Sequence, residues 1–171
     1  EPTLTTTHDF PLDQGGKVRI GWSRSYLDTI PTLEIGSYGI WRQVSGALAA
    51  RMIASGANLS TGEAAPKEAR PGQLRLVLDG ALATYWEGVG SVQARGEASY
   101  TFVATTFADS TFASNPLTTF MVNAQSAFVP GFWDSAPDSG YSVDNIPPSA
   151  PAPFTGAYVS GATRLHWGRN S

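Results

Sequence analysis

The chain has no cysteine and almost no histidine. None of its 171 residues is a cysteine, which excludes disulfide bonds, thiolate catalysis and cysteine–zinc sites. The two histidines are His8, in the N-terminal tail, and His166, on the outward face of a predicted strand. From so little material we expect neither a histidine-based triad nor a metal cluster, and we predict that the chain is not an enzyme.

Clustered positive charge and long apolar runs are missing too. The net charge is −3 and the sequence pI is about 5.2. Because the sequence has no cluster of Lys and Arg that could neutralise phosphates, no nucleic-acid partner is expected. No apolar run approaches the roughly 20 residues of a membrane-spanning helix. The chain starts at Glu1 without an initiator methionine or a signal-like segment, which favours a processed or excised piece.

The chain is rich in turn residues and contains a repeated segment. Its 18 glycines and 12 prolines indicate many turns, as in an all-β protein. Residues 16–25 return 145 positions later as residues 161–170. The matched pairs are Gly16/Gly161, Arg19/Arg164, Trp22/Trp167 and Arg24/Arg169, with Ile20/Leu165 matching in kind. Both copies alternate with the period of a half-buried strand, so the repeat predicts one β module followed by the opening strands of the next.

The same alternation recurs along the chain between turn signals. Predicted strands cover residues 1–8, 17–25, 34–44, 73–78, 83–92, 99–107 and 118–124. About seven short strands joined by tight turns predict a purely antiparallel sandwich of two sheets. We expect Trp22, Tyr38, Tyr100, Phe102 and Phe120 in its core.

Residues 45–72 interrupt the strand pattern. Helix propensity predicts a short helix over residues 47–54. The Gly/Ser/Ala/Pro-rich residues 55–72 are predicted to form a long exposed loop. We interpret the whole of 45–72 as an insertion between strands.

A proline-rich segment divides the chain. Residues 1–145 are predicted to form the module, and residues 146–153 an extended linker. Residues 154–171 are predicted to be the N-terminal strands of a second, truncated module. The strands that complete it are expected beyond Ser171 or, as the less favoured alternative, from another chain by β-augmentation.

Three aromatic positions carry a resemblance to a bacterial fibronectin type III module, in a long variant. They are Trp22 on the second strand, Tyr38 in Tyr38-Gly-Ile-Trp-Arg42 on the third, and Tyr100 in Tyr100-Thr-Phe-Val-Ala104 on the sixth. The resemblance implies an Ig-like sandwich with Trp22 in the core and Tyr100 holding the preceding corner through its hydroxyl. The usual Leu-x-Pro approach to that tyrosine is replaced by Ala94-Arg-Gly96.

Two sets of residues are candidate binding sites. Trp41, Trp86 and Trp133 alternate away from the predicted core or lie near the module boundary. Exposed, these rings would stack on sugars or pack on a neighbouring module, and packing against the insertion 45–72 is the favoured alternative.

The second set is a candidate calcium site at the joint between modules. Asp138, Asp144 and Asn145, with Asp134 as a further donor, offer oxygens for Ca²⁺. Their spacing matches no known calcium loop, and turn formation by Asp and Asn is the alternative. No other cofactor is expected.

Taken together, these features predict a non-catalytic structural or adhesive module outside the cell or on its surface. Its expected partners are neighbouring modules of the same polypeptide or copies of itself. Two alternatives remain open: a module that binds carbohydrate or a cell-surface protein through exposed aromatics, and a fibre subunit completed by strand exchange.

Overall fold

A computed structural model describes residues 1–30, 34–61, 69–80, 82–128, 131–147, 150 and 152–168 of the chain. The elements are β1 (Thr3–Asp9), β2 (Lys17–Ser23), β3 (Ile35–Val44), α1 (Gly46–Ala54), β4 (Asn58–Thr61), β5 (Gln73–Asp79), β6 (Leu82–Gln93), β7 (Ser99–Thr105), β8 (Thr118–Ser126), β9 (Phe132–Asp134), β10 (Asp138–Gly140), β11 (Phe154–Val159) and β12 (Ala162–Trp167). As the sequence predicts, the fold is all-β and its two main sheets form a sandwich. Among the described residues, no helix is long and apolar enough to cross a membrane.

The sandwich has a small sheet and a large one. The small sheet has the order β1-β2-β7, and all its pairs are antiparallel. The large sheet has the order β10-β8-β3-β6-β5-β4, with β9 paired to a second stretch of β8. The two strands β11 and β12 pair with each other in a third sheet.

The strand count and the pairing differ from the prediction. The described part of residues 1–145 holds ten strands instead of about seven, because β4, β9 and β10 have only three or four residues, too few for a pattern of alternation to show. The expectation of purely antiparallel pairing is wrong at one edge, where β4 and β5 run parallel. A parallel pair requires the chain to run back to the end of the sheet where β4 begins, which a tight turn cannot do. The connection between the two strands, residues 62–72, is long enough for this return.

The insertion 45–72 is more ordered than predicted. Its helix is confirmed and begins at Gly46, one residue early, with the Ser45 hydroxyl accepting a hydrogen bond from the Leu48 N–H. The prediction of one exposed loop over 55–72 is wrong for Asn58–Thr61, which forms β4, and for Ala69, which is buried. Residues 62–68 of that predicted loop lie outside the described residues.

The main core lies between the two sheets, as the alternation in β2 predicts. Val18, Ile20 and Trp22 are all fully buried. The large sheet presents Tyr38, Ile40, Phe120 and Val122 to them. Because β2 is the central strand of the small sheet, its hydrogen bonds are satisfied on both edges and one face is free to bury apolar side chains.

Three aromatic rings meet at one end of this core. Trp22 stacks on Tyr100 with ring centroids 5.8 Å apart and meets Tyr38 edge-on at 5.6 Å. The two tyrosine rings are 4.8 Å apart. Since Tyr38 lies on β3 and Tyr100 on β7, this cluster joins the two sheets directly.

A buried carboxylate, Asp28, holds the two tyrosine hydroxyls. Its Oδ2 accepts a hydrogen bond from the Tyr38 hydroxyl at 2.9 Å and from the Tyr100 hydroxyl at 2.6 Å. Its Oδ1 accepts from the Gly96 N–H at 2.8 Å. Asp28 is fully buried, so these three donors replace the water that its carboxylate loses on folding.

The tyrosine oxygens also accept hydrogen bonds from the backbone. Tyr100 accepts from the N–H groups of Arg95 and Glu97, at 2.8 and 3.1 Å. These bonds attach the Tyr100 hydroxyl to the corner just before β7. Burial, followed by the Asp28 carboxylate, raises the pKa of Tyr100, and burial likewise raises the pKa of Tyr38. Both hydroxyls consequently remain proton donors to Asp28 at neutral pH.

Replacing the carboxylate is expected to be costly. In Asp28→Ala, two buried hydroxyls and the Gly96 N–H lose their acceptor, so the free energy of unfolding should fall by about 3 kcal/mol. Urea unfolding followed by tryptophan fluorescence measures the change. Asp138→Ala is the matched control, because that exposed carboxylate should contribute within about 0.5 kcal/mol. Equal unfolding free energies for the two variants would contradict the role given to Asp28.

Candidate functional site

Two of the predicted binding tryptophans are inside the protein. Trp41 and Trp86 are 0% and 3% exposed, and they pack with Ala69 and Met121 in a cluster on the outer face of the large sheet. The less favoured interpretation, in which these two rings are exposed for stacking on sugars, is therefore wrong. The alternative, packing against the insertion 45–72, is the one observed, because Ala69 belongs to that insertion.

Two glycines explain how the insertion covers the sheet. A Cβ on Gly88 would lie 2.6 Å from the Arg70 nitrogen, and one on Gly39 would lie 3.2 Å from the Ala69 Cβ. The backbone of residues 69–70 thus rests directly on β6, in space that any side chain would fill. This close approach places Ala69 over Trp41 and seals the outer face.

The third tryptophan, Trp133, is half-buried. It lies on β9 opposite Ala124 and packs against the main core. Its neighbours Phe132 and Asp134 point to the other face of the sheet, where both contact Arg75. Little of the Trp133 ring is free for a ligand.

Asp134, the extra donor in the predicted calcium set, is held by an arginine. Arg75 binds it with both terminal nitrogens, NH1 to Oδ1 at 2.8 Å and NH2 to Oδ2 at 2.5 Å. Asn123 donates to the same Oδ1 at 2.7 Å, and the guanidinium lies 4.5 Å from the Phe132 ring centroid. The side chain of Arg75 is 5% exposed, so this pair bridges β5 and β9 beneath the surface.

The other three candidate calcium donors make separate contacts. Asp138 accepts a hydrogen bond from the Ser139 N–H at the start of β10, and Asp144 accepts from the Ile146 N–H. Asn145 donates to Asp9. Within the described ranges, no group of three or more His, Cys, Asp or Glu residues is placed to hold a metal ion. Calcium at the joint stays a prediction.

Asn145 belongs to a strap that closes one end of the sandwich. Its side-chain oxygen accepts from the Asp13 N–H at 3.1 Å, and the Val143 N–H donates to Asp9 at 2.8 Å. We call residues 142–145 the C-terminal strap. No local sequence pattern predicts these contacts, since the bonded residues are more than 130 positions apart.

Asp109 fixes the start of the C-terminal strap. Its Oδ1 accepts hydrogen bonds from the Ser142 hydroxyl and from the Gly16 N–H. These two donors, the Ser142 hydroxyl first, lower the pKa of Asp109 below its usual value. The strap is therefore tied to both the β1–β2 loop and the segment after β7.

An open groove of about 430 Å³ lies beside the helix. It is lined by Gln43, Val44, Ser45, Leu48, Arg51, Phe107, Leu117, Thr118 and Thr119. Phe107 and Leu117 are 51% and 61% exposed, whereas Arg42 covers the Phe107 ring at 4.0 Å from its centroid. These described lining residues supply apolar surface, neutral hydrogen-bonding groups and one cation. Such a lining suits a sugar ring or a peptide side chain better than acid–base chemistry.

Sequence reasoning misses the groove residues. The sequence pattern assigns Phe107 to the predicted strand over residues 99–107, although β7 ends at Thr105. The available signal is the position of Phe107 outside the Tyr100, Phe102, Ala104 alternation, ahead of the turn at Asn115-Pro116. An aromatic residue in such a loop is a candidate contact residue.

The cover over Trp41 can be tested by adding one methyl group. In Gly88→Ala the new Cβ meets Arg70 backbone, so we expect the free energy of unfolding to fall by about 2 kcal/mol. Acrylamide should also quench tryptophan fluorescence more strongly, because the 69–70 segment lifts off Trp41 and Trp86. Gly131→Ala is the control, since nothing lies within 4 Å of its Cβ position. A Gly88→Ala protein that matches this control would show that the segment does not rest on β6.

Comparison with known proteins identifies no family for this chain, so its fold class is assigned from its own structure. No family model, curated protein or solved structure matches this chain. The structure itself establishes the fold class, an all-β sandwich.

Proposed function

We propose that the chain is a fibronectin type III-like module of a larger exported protein, acting as a non-catalytic structural or adhesive spacer between neighbouring domains. One observation carries the proposal: the chain enters the sandwich at one end of its strands and leaves it at the opposite end. We call these two ends the poles of the sandwich. Modules built in this way form an extended string when they are joined end to end.

The strand pairing supports the Ig-like part of this proposal. In Ig-type sandwiches the first, second and fifth strands lie in one sheet, and the third, sixth and seventh strands lie in the other. The order β1-β2-β7 and the order β10-β8-β3 follow that plan. One feature departs from it: Tyr100 lies on β7, in the sheet of β1 and β2, and not on the strand beside β3. The α1, β4 and β5 elements are additions between the third strand and β6.

The chain enters at the pole of the aromatic cluster. Thr3 of β1 is opposite Ser23, which is opposite Ser99 on β7. The next residues along these strands, Trp22 and Tyr100, belong to the cluster that Asp28 holds.

The chain leaves at the other pole. Asp9, the last residue of β1, is the residue to which the C-terminal strap is bonded through Val143 and Asn145. From Thr3 to Asp9, β1 therefore spans the sandwich, a rise of about 20 Å. The strap clamps the exit point, which supports transmission of orientation from this module to a neighbouring domain.

The distance between the two poles tests the arrangement. The chain has no native cysteine, so spin labels on Thr3→Cys and Ile146→Cys report one distance by pulsed electron resonance. We expect a long distance, at least about 20 Å, because β1 separates the labels. Lys17→Cys with Ile146→Cys is the control pair and should give a clearly shorter distance, since Lys17 lies at the exit pole. If the two pairs gave the same distance, the end-to-end geometry would be wrong.

The groove favours a second candidate function, a carbohydrate-binding module. The observation behind it is the exposed Phe107 and Leu117 beside the neutral polar side chains of Thr119 and Gln43. Aromatic rings flanked by hydrogen-bonding groups are suited to sugar rings.

A glycan array discriminates this candidate from the spacer. Binding should be lost in Phe107→Ala while stability changes by less than about 1 kcal/mol, because the ring is half exposed. Phe154→Ala, which removes an exposed ring elsewhere, should keep the binding. An array without any bound glycan, or binding that survives Phe107→Ala, would remove the carbohydrate candidate.

A further inference from the structure

The β11–β12 hairpin exposes an apolar face. In its register Phe154 is opposite Trp167 and Gly156 is opposite Leu165, and Tyr158 follows on the same face. Phe154, Trp167, Leu165 and Tyr158 are between 54% and 75% exposed. The other face is more polar and carries His166 and Arg164. A two-stranded hairpin is marginally stable alone in water, so we expect another part of a protein to cover this face.

The second strand of the hairpin repeats β2 position by position, although the loops that precede the two strands differ in length. Strand β12 covers residues 162–167, which correspond to residues 17–22 of β2 at the repeat offset of 145 positions. In both hairpins the tryptophan is opposite an apolar residue of the preceding strand, Leu4 for Trp22 and Phe154 for Trp167. The pairing of the tryptophan with an apolar residue is thus repeated, although Leu4 and Phe154 are not equivalent positions of the repeat.

The two residues that precede β2 and those that precede β12 share a left-handed backbone conformation. Gly16 and Gly161 immediately precede β2 and β12, with φ of 75° and 80°. The residue before each glycine, Gly15 or Ser160, has a positive φ as well. In the second copy these two residues form the whole turn between Val159 and Ala162, as in a tight hairpin, whereas in the first copy they end a longer loop that starts after Asp9. The repeat therefore extends to the backbone only at the start of each second strand.

The first copy shows what covers such a face. Trp22 is fully buried, and it is covered by Tyr38 on β3 and by Tyr100 on β7. The outer edge of β2 is paired along its length with β7, which places Tyr100 opposite Trp22. In the described part of the second copy, no strand pairs with the outer edge of β12.

We propose that the apolar face of β11–β12 is the docking surface for the strands of a second sandwich of this same type. The occupant is a sheet equivalent to β3, β6 and β8, together with a strand equivalent to β7 that places an aromatic ring opposite Trp167. This proposal rests on the proposed tandem function and names the contact that would join the second module to the chain. The repeat favours this occupant over a second copy of the hairpin, because four side chains offer too little area for a stable dimer.

A fusion protein tests the docking surface. Residues 24–147 are appended after Gly168, the repeat equivalent of Ser23, so that β11–β12 takes the place of β1–β2 in a second sandwich. Leu165→Cys reports burial of the face, because the chain has no other thiol. Its labelling by a disulfide reagent should be fast in the 171-residue chain and at least about a hundredfold slower in the fusion.

Two matched proteins complete the experiment. Arg164→Cys lies on the opposite face, so its labelling should stay fast with and without the appended strands. Appending residues 1–147 after residue 150 instead gives the second sandwich its own β1–β2 hairpin and shows that two sandwiches fold on one chain.

The outcomes separate the possible occupants. Slow labelling of Leu165→Cys in the fusion alone supports the proposal. Unchanged labelling in the fusion overturns it, and so does slow labelling in the unfused chain accompanied by dimers in sedimentation, which would assign the face to a second copy. Either result leaves the pole-to-pole distance unaffected, so failure here is distinguishable from failure of the proposed function.

Discussion

The sandwich depends on one buried carboxylate shared by two tyrosines. Asp28 comes from a loop, Tyr38 from the large sheet and Tyr100 from the small sheet, so their hydrogen bonds join three separate parts of the chain. The rings of the same tyrosines pack around Trp22. Polar and apolar stabilisation therefore act at one place. Because a buried acceptor must keep its donors, the positions of both sheets are fixed within narrow limits.

Two further contacts turn this core into a closed module. The 69–70 segment rests on Gly88 and covers Trp41, which gives the large sheet a buried outer face. The C-terminal strap is bonded to Asp9 and Asp109 at the pole opposite Asp28. One contact prevents the outer aromatic cluster from meeting solvent, and the other fixes where the chain leaves. Both contacts restrict movement within the module, whereas the groove at Phe107 and the apolar hairpin leave apolar side chains exposed.

Much of the fold could be predicted because it depends on local pattern. Alternation along β2 places Trp22 in the core, and turn residues mark most of the strand ends. The pattern fails where elements are short, as at β4 and β9, or where exposure is decided by a distant segment. Trp41 alternates outward as expected, yet Ala69 covers it, and no feature of residues 35–44 indicates that cover. The groove escaped prediction for the same reason, since its walls come from three separate elements.

Local pattern was sufficient to predict the all-β class, the burial of Trp22, the short helix and the recurrence of a strand pattern at residues 161–167, because each depends on spacing between neighbours along the chain. Tertiary contacts were needed to establish the parallel pair at the sheet edge, the close approach of residues 69–70 to β6, the Arg75–Asp134 pair and the strap across the exit pole. These features join residues far apart in the chain. Their energies depend on burial and on exact distances, which no local pattern encodes.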